Sequence, residues 1–240
     1  MGKSLHCTLL QLENLHPYRR NLEKILAALE EEESSKLIVA PEVCLTDYDY
    51  EHLEAAVAFG EEAERILCEK VEEQILVLTR LVKRPEGYAN EAIVIHDHRV
   101  VHRQAKHKLF LLGEEDRYLI PGEVEEIRPF EIDGVRYGLM ICFELRFKEL
   151  WKRLEGCDVI LLPSQWGLPR KRHLEILARA LGVMNQCYVL VADSAREDMA
   201  RSSLIASPDG GLVLEDLAER IRGELDLNLV KKLRRYIKMR

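Results

Sequence analysis

The stretch YGLMICFELRF, residues 137–147, is the most informative part of the chain about its fold. Its apolar first half predicts a buried strand over residues 135–141, and polar residues at helical spacing predict a helix over residues 146–154. Cys142 therefore stands at a strand-to-helix junction, near backbone N–H groups that favour a thiolate and a developing oxyanion. Taken alone, this stretch still favours a core cysteine over a nucleophile.

The same alternation of short apolar runs and helical periods continues through the chain. It predicts strands at residues 5–10, 37–40, 75–79, 91–96, 100–104, 126–132, 135–141, 159–163, 187–193, 203–207 and 211–215. It predicts helices at residues 18–33, 53–73, 146–154, 171–184 and 227–236. This order indicates a layered α/β fold with mixed sheets inside and helices outside. Because no linker-like segment interrupts the 240 residues, we expect one domain over residues 1–240.

Composition excludes several classes of protein. The formal net charge is −7, which disfavours nucleic-acid binding, and the basic run at residues 231–235 is interpreted as the solvated face of a terminal helix. No apolar run approaches the roughly 20 residues that span a bilayer, and no signal-peptide pattern opens the chain, so we expect no membrane association and a cytoplasmic location. The six cysteines form no CxxC pair and are expected to be free, mostly buried thiols.

Three further segments place charged residues beside apolar runs. Glu42 directly follows a predicted strand and Pro41, at the strand end where ligands collect in α/β sheets, so desolvation would make it a general-base candidate. Lys106 lies in a basic cluster after a hairpin strand, and Glu114 lies in a Gly-Glu turn. Each of the last two, taken alone, is typical of a solvated loop.

His96, His98 and His102 are the residues that could suggest a metal site. A predicted turn separates these histidines, and no cysteine or carboxylate set with zinc-like spacing accompanies them. We therefore predict three hairpin surface residues and no bound metal.

Taken together in chain order, these segments resemble the nitrilase (carbon–nitrogen hydrolase) superfamily. Its Glu–Lys–Cys triad and additional glutamate match Glu42, Lys106, Cys142 and Glu114. Residues 142–147 are similar to the family's Cys-Tyr-Asp-Leu-Arg-Phe motif. The flanking stretches that also match are residues 90–92, 109–110, 121–122, 163–166, 185–189, 207–210 and 223–227.

The resemblance implies a four-layer αββα sandwich, a homodimer or larger homo-oligomer, and no cofactor or metal. It also implies roles for the matched residues. Cys142 would be the nucleophile, Glu42 the proton carrier, and Lys106 with the Phe143 N–H the oxyanion donors, while Glu114 would orient Lys106 or the substrate amide.

The resemblance also bears on the substrate. Phe143 stands where true nitrilases tend to have tryptophan, which favours amide over nitrile hydrolysis. The motif at residues 142–147, together with Trp166, is similar to ω-amidase-like members, which act on small amides of dicarboxylic acids. Arg146 could then clamp a distal carboxylate. Equally, Arg146 could pair within the fold, with Glu149 or Glu175.

Other functions stay open at the level of sequence. An N-carbamoyl amine or amino acid hydrolase is the nearest enzymatic alternative, and a catalytically silent binding member of the same fold is another. A thiol redox protein would need a resolving cysteine beside Cys142 and would leave Glu42 and Lys106 unexplained.

The chain departs from the family pattern at three places. Asp47 replaces a glycine in the loop after Glu42, where we expect a different turn. Residues 181–185 lack the usual arginine and glutamate, and Lys148 replaces a proline. We expect these changes to affect the pocket and the subunit interface.

Overall fold

The protein is described by a computed structural model over residues 4–239, in which two six-stranded sheets lie face to face. The first sheet has the order β12 (Arg220–Asp226), β1 (Ser4–Leu10), β2 (Leu37–Val39), β3 (Ile75–Arg84), β4 (Gly87–His96) and β5 (Arg99–Ala105). The second has the order β11 (Leu212–Leu214), β10 (Leu204–Ala206), β9 (Tyr188–Ala192), β8 (Val159–Pro163), β7 (Val135–Leu139) and β6 (Phe130–Ile132).

Each sheet has three parallel strands flanked by antiparallel ones. In the first sheet β1, β2 and β3 are parallel, and in the second sheet β7, β8 and β9 are parallel. Parallel strands end at the same edge of a sheet, and this is the edge at which ligands bind in α/β proteins. The segments that follow β2, β7 and β8 are therefore the natural place for a site.

The helices cover the outer faces of the two sheets. They are α1 (Arg19–Glu31), α2 (Leu53–Lys70), α3 (Lys148–Arg153), α4 (Lys171–Asn185) and α5 (Leu227–Tyr236). Alternate strand residues point to opposite sides of a sheet. Accordingly, Ile38 packs with α1 and α2, whereas its neighbours Leu37 and Val39 pack in the core that contains the second sheet, α3 and α4. This arrangement is the predicted αββα sandwich.

Most predicted elements are present, with shifts at their ends. The strand predicted at residues 126–132 is shortened to β6, because a 3-10 turn occupies Val124–Glu126. The helix predicted from residue 146 begins at Lys148, since Cys142–Arg146 forms a separate 3-10 turn. Strand β12 was not predicted. It pairs with β1 at the sheet edge, and its alternate charged residues leave only a weak apolar signal.

The prediction of three surface histidines is wrong for one of them. His102 lies in β5 with its ring buried against the second sheet, stacked 4.3 Å from the ring of Phe130. His98 is exposed at the β4–β5 turn, as predicted. The short alternation in β5 did not reveal that its inner face is covered by β6. Within residues 4–239, no helix has the length and apolar character needed to cross a membrane.

Candidate active site

The site lies where both sheets contribute segments to one buried cluster. Glu42 comes shortly after β2 and Lys106 directly after β5, both from the first sheet. Cys142 follows β7 in the second sheet. Glu42 and Lys106 are each 1% exposed and Cys142 is 7% exposed. Three residues that are far apart in the sequence are thus brought into the interior together.

Lys106 is the cationic centre of the cluster. Its Nζ lies 2.8 Å from Glu42 Oε1 and 2.7 Å from Glu115 Oε1. Burial by itself would lower the pKa of Lys106, but the two carboxylates outweigh it and raise that pKa. The side chain is therefore a firmly held ammonium ion, the form required of an oxyanion donor.

Glu42 receives two further hydrogen bonds. The hydroxyl of Tyr48 donates to Glu42 Oε1 at 2.6 Å and the side-chain amide of Asn90 donates to the same oxygen at 2.9 Å. Tyr48 was not predicted as a site residue, and Asn90 was noted only for its match to a flanking motif. The motif around residues 46–48 was the available signal for Tyr48.

The second glutamate of the site is Glu115, so the predicted position of Glu114 beside Lys106 is wrong. Glu114 adopts a left-handed backbone conformation with φ 57°, and its half-exposed side chain pairs with Arg117 at 2.9 Å. Glu115 begins the next 3-10 turn and is buried, with Oε1 on Lys106 and Oε2 accepting the Phe110 N–H at 2.9 Å. A single irregular residue turns one glutamate outward and the next inward.

Cys142 occupies a strained junction and is almost fully buried. Its φ of 47° lies in the left-handed region that residues with a side chain rarely adopt. Burial and the charge of Glu42 raise the pKa of the thiol well above its ordinary value, against the opposing effects of Lys106 and of the Gln165 backbone N–H. The thiol is therefore protonated in the resting site and needs a base to become a nucleophile.

The predicted substrate-binding residues line one cleft with the thiol. Cys142, Phe143, Arg146 and Trp166 are all part of its wall. The guanidinium of Arg146 stacks 4.9 Å above the Trp166 ring, and its Nη2 lies 3.1 Å from His173 Nδ1.

The internal partners considered for Arg146 are engaged elsewhere. Glu149 pairs with Lys108 at 3.0 Å, and Glu175 lies 3.9 Å from Lys171 and accepts a hydrogen bond from Ser202. Throughout residues 4–239, Arg146 has no carboxylate within ion-pair distance.

Arg170 is a site residue that sequence reasoning missed. It lines the same cleft, with its guanidinium 5.0 Å above the ring of Phe110, and among the described residues it likewise pairs with no carboxylate. Burial and the positive charge of Arg170 lower the pKa of Arg146. Two guanidinium groups therefore face the cleft without an anion between them. Nothing in the run 168–172 distinguished Arg170 from its basic neighbours.

Asp47, the departure from the family pattern, joins both walls of the site. It adopts φ 59°, a left-handed conformation that aspartate tolerates. Its Oδ1 accepts a hydrogen bond from Gln165 Nε2 at 2.9 Å, and its Oδ2 lies 2.7 Å from Arg196 Nη1. A cavity of about 290 Å³ lies alongside and includes Glu42 and Cys142 in its wall. The cavity thus offers a small molecule access to Cys142.

No grouping of three or more histidine, cysteine, aspartate or glutamate side chains suited to a metal ion occurs in residues 4–239.

Comparison with known proteins identifies the family of the chain. The sequence pattern of the carbon-nitrogen hydrolase family matches residues 9–235. The chain belongs to the carbon-nitrogen hydrolase family. It is therefore an enzyme of the class that hydrolyses carbon–nitrogen bonds other than peptide bonds.

Individual family members show how far the likeness extends. A 2-oxoglutaramate amidase of Bacillus subtilis is 28% identical over 232 residues, covering 90% of this chain and 88% of the relative. A deaminated glutathione amidase of Escherichia coli is 30% identical over 198 residues, covering 77% and 75%. The solved structure of Saccharomyces cerevisiae Nit3, a member of branch 10 of the nitrilase superfamily, superposes with a TM-score of 0.82 at 22% identity, covering 99% and 95%.

Proposed function

We propose that this carbon-nitrogen hydrolase releases ammonia from a small linear amide that carries a carboxylate at its far end. The observation that carries the substrate class is the pair Arg146 and Arg170, which line the cleft of Cys142 without a carboxylate partner in residues 4–239. Guanidinium groups bind carboxylates through strong charge-assisted hydrogen bonds. The activities after which the two amidase relatives are named support the same class.

The first half of the proposed reaction forms a thioester. Glu42 takes the proton of the Cys142 thiol, and the sulfur bonds to the amide carbon while the carbonyl electron pair moves onto oxygen. The C–N bond then breaks, and Glu42 passes its proton to the departing nitrogen, which leaves as ammonia. The raised pKa of Cys142 explains why a base must act at the moment of attack.

Two donors face the developing oxyanion. Lys106 supplies a fixed positive charge, and the Phe143 N–H belongs to the first turn of a helical segment, where backbone donors lack partners within the helix. Losing one such donor costs about 100- to 1000-fold in rate in comparable sites. Glu115 and Tyr48 touch Lys106 and Glu42, so we assign them the task of holding these groups in place.

The second half returns the enzyme to its starting state. Glu42 takes a proton from water, the resulting hydroxide bonds to the thioester carbon, and the C–S bond breaks. The sulfur recovers a proton, and a second carboxylate appears in the product. The open cavity beside Glu42 and Cys142 provides room for water and supports a working hydrolase over a silent binding protein of the same fold.

Ammonia release from a panel of amides tests the proposal. We expect turnover of succinamate and 2-oxoglutaramate, far slower turnover of the neutral butyramide, and none in the Cys142→Ala variant. Preference for N-carbamoyl amino acids would instead identify a carbamoylase. Equal turnover of neutral and carboxylate-bearing amides would refute the role of the arginine pair, and no turnover of any substrate would refute the hydrolase.

We also propose that the protein forms a homo-oligomer and is located in the cytoplasm. Exposed apolar side chains on α4 (Ile176, Val183 and Met184) and on β11 (Leu212 and Val213) support a homo-oligomer. All six cysteines are free thiols, as expected for a cytoplasmic protein.

A further inference from the structure

Glu144 is a fully buried carboxylate that the proposed reaction does not use. It is 0% exposed and lies in the 3-10 turn that begins with the nucleophile. Its Oε1 accepts the N–H of His107 at 2.7 Å and that of Lys108 at 3.3 Å. Its Oε2 accepts the N–H of Ile141 at 2.7 Å. One side chain thus binds three backbone donors.

These donors belong to different sheets. His107 and Lys108 follow Lys106, where the chain leaves β5 of the first sheet, while Ile141 precedes Cys142, where the chain leaves β7 of the second. Lys106 and Cys142 are therefore each adjacent in sequence to a residue whose backbone N–H Glu144 binds. Lys106 and Cys142 come from separate sheets. The distance between them therefore depends on contacts that join the two sheets, such as the hydrogen bonds of Glu144.

An ionised carboxylate is better suited than a neutral side chain to accept hydrogen bonds from these three backbone N–H groups. An ionised carboxylate is purely an acceptor, whereas an amide presents a donor at one end. Nearby, Gln104 makes a neutral link between the same sheets by donating to the Leu139 carbonyl at 3.0 Å. At Glu144 every partner is an N–H, so glutamine would place an NH₂ group against a backbone donor. Burying the ionised form here is costly and raises the pKa of Glu144 to about 7, and a structural link alone does not require an ionisable group.

We propose that Glu144 is a positioning residue, which sets the place of Lys106 relative to Cys142 by holding the backbone of residues 107–108 against that of residue 141. The inference rests on the proposed function, because it takes Lys106 as the oxyanion donor. A shift of about 1 Å in a catalytic group can cost on the order of 100-fold in rate.

Three variants test this role: Glu144→Gln, Glu144→Asp and the control Glu149→Gln. Glu149 has the same kind of side chain and lies in the following helix, α3, where it is 58% exposed and pairs with Lys108. Rates are counted per Cys142 thiol that reacts in the folded protein, which removes the effect of misfolded material. We expect Glu144→Gln to lower kcat about 100-fold with KM changed less than about 3-fold. Glu144→Asp keeps the charge and should recover at least a tenth of the lost activity, while Glu149→Gln should match the parent.

A double-variant cycle tests whether Glu144 acts by positioning Lys106 or only by stabilising the fold. If Glu144 acts through Lys106, Glu144→Gln should cost less than about 3-fold when added to Lys106→Met. An equal cost in both backgrounds would overturn the proposal, as would a kcat per thiol within about 2-fold of the parent in Glu144→Gln.

A readout without substrate distinguishes this proposal from the proposed function. Lys106 lowers the pKa of Cys142, so a displaced Lys106 should move the pH midpoint of iodoacetamide labelling upward in Glu144→Gln but not in Glu149→Gln. An unmoved midpoint would contradict the positioning role. A moved midpoint in a protein that hydrolyses no amide would retain the role and reject the amidase.

Discussion

Glu42 Oε1 and Lys106 Nζ lie 2.8 Å apart, and both side chains are almost completely excluded from water. Such a pair is costly to bury, and removing one partner strands the other charge, typically at about 3–5 kcal/mol. Its place in the core is more readily explained by catalysis than by stability. The proposed base and the proposed oxyanion donor are held in contact before any substrate arrives, which would limit the reorganisation that the reaction requires.

The two adjacent glutamates provide a direct test of the site. Glu115→Gln weakens the hold on Lys106 and on the Phe110 N–H, and hydrogen bonds to charged groups contribute about 1.5–3 kcal/mol, so we expect kcat to fall about 10- to 100-fold. Glu114→Gln removes only an exposed pair with Arg117 and should leave kcat within about 2-fold. Steady-state kinetics on succinamate measures both. A larger loss for Glu114→Gln would restore the assignment made from sequence.

The arginine pair should affect specificity more than chemistry. Replacing Arg170 or Arg146 by methionine removes a guanidinium from the cleft, and we expect kcat/KM for a carboxylate-bearing amide to fall about 10- to 100-fold. Turnover of butyramide should stay within about 3-fold of the parent, because butyramide has no carboxylate for the arginines to bind. Arg172→Met, an exposed change on α4, is the control. Parallel losses on both substrates would assign the arginines to the fold instead.

The buried carboxylate Glu144 should leave a signature in the pH dependence of stability. Burial raises its pKa from 4.5 to about 7, against the opposing effect of the N–H donors of Ile141 and His107. The folded protein therefore binds this proton more tightly than the unfolded chain does. The corresponding stability is fully present below pH 4.5 and is lost as the pH rises through about 7.

Urea unfolding at pH 5 and pH 8 measures this effect. The free energy of unfolding of Glu144→Gln should depend less steeply on pH than that of the parent, with the parent gaining stability relative to the variant as the pH falls. Asp193→Asn provides a comparison, because burial likewise raises the pKa of Asp193 to about 6. Parallel pH curves for the parent and Glu144→Gln would show that Glu144 does not titrate in this range.

The exposed apolar side chains of α4 predict a change in assembly. Met184→Glu places a charge beside Val183 on the proposed contact face, and we expect the oligomer to dissociate toward monomer with little change in unfolding temperature. Light scattering coupled to size exclusion measures the mass. Lys232→Glu, an exposed change on α5 and outside the α4 and β11 residues of that face, should leave the mass unchanged. A monomeric parent protein would remove the basis of this prediction.

The sequence by itself determined the layered fold and the chain positions of Glu42, Lys106 and Cys142. The fold follows from local signals, the apolar runs of strand length, whereas the three residues were singled out by the resemblance of the chain in its residue order to the carbon-nitrogen hydrolase family. Such signals can be recognised in the sequence because the backbone geometry of each segment imposes the strand or helix period on its side chains.

Only the tertiary structure decided which neighbours complete the site. Glu115 rather than Glu114 reaches Lys106, because the left-handed backbone at Glu114 reverses the direction of its side chain. Arg170 joins Arg146 only when the segment after β8 folds over the 3-10 turn at Cys142. Side-chain direction in irregular segments depends on individual backbone torsions and on packing between sheets. Neither quantity has a period that can be read along the chain.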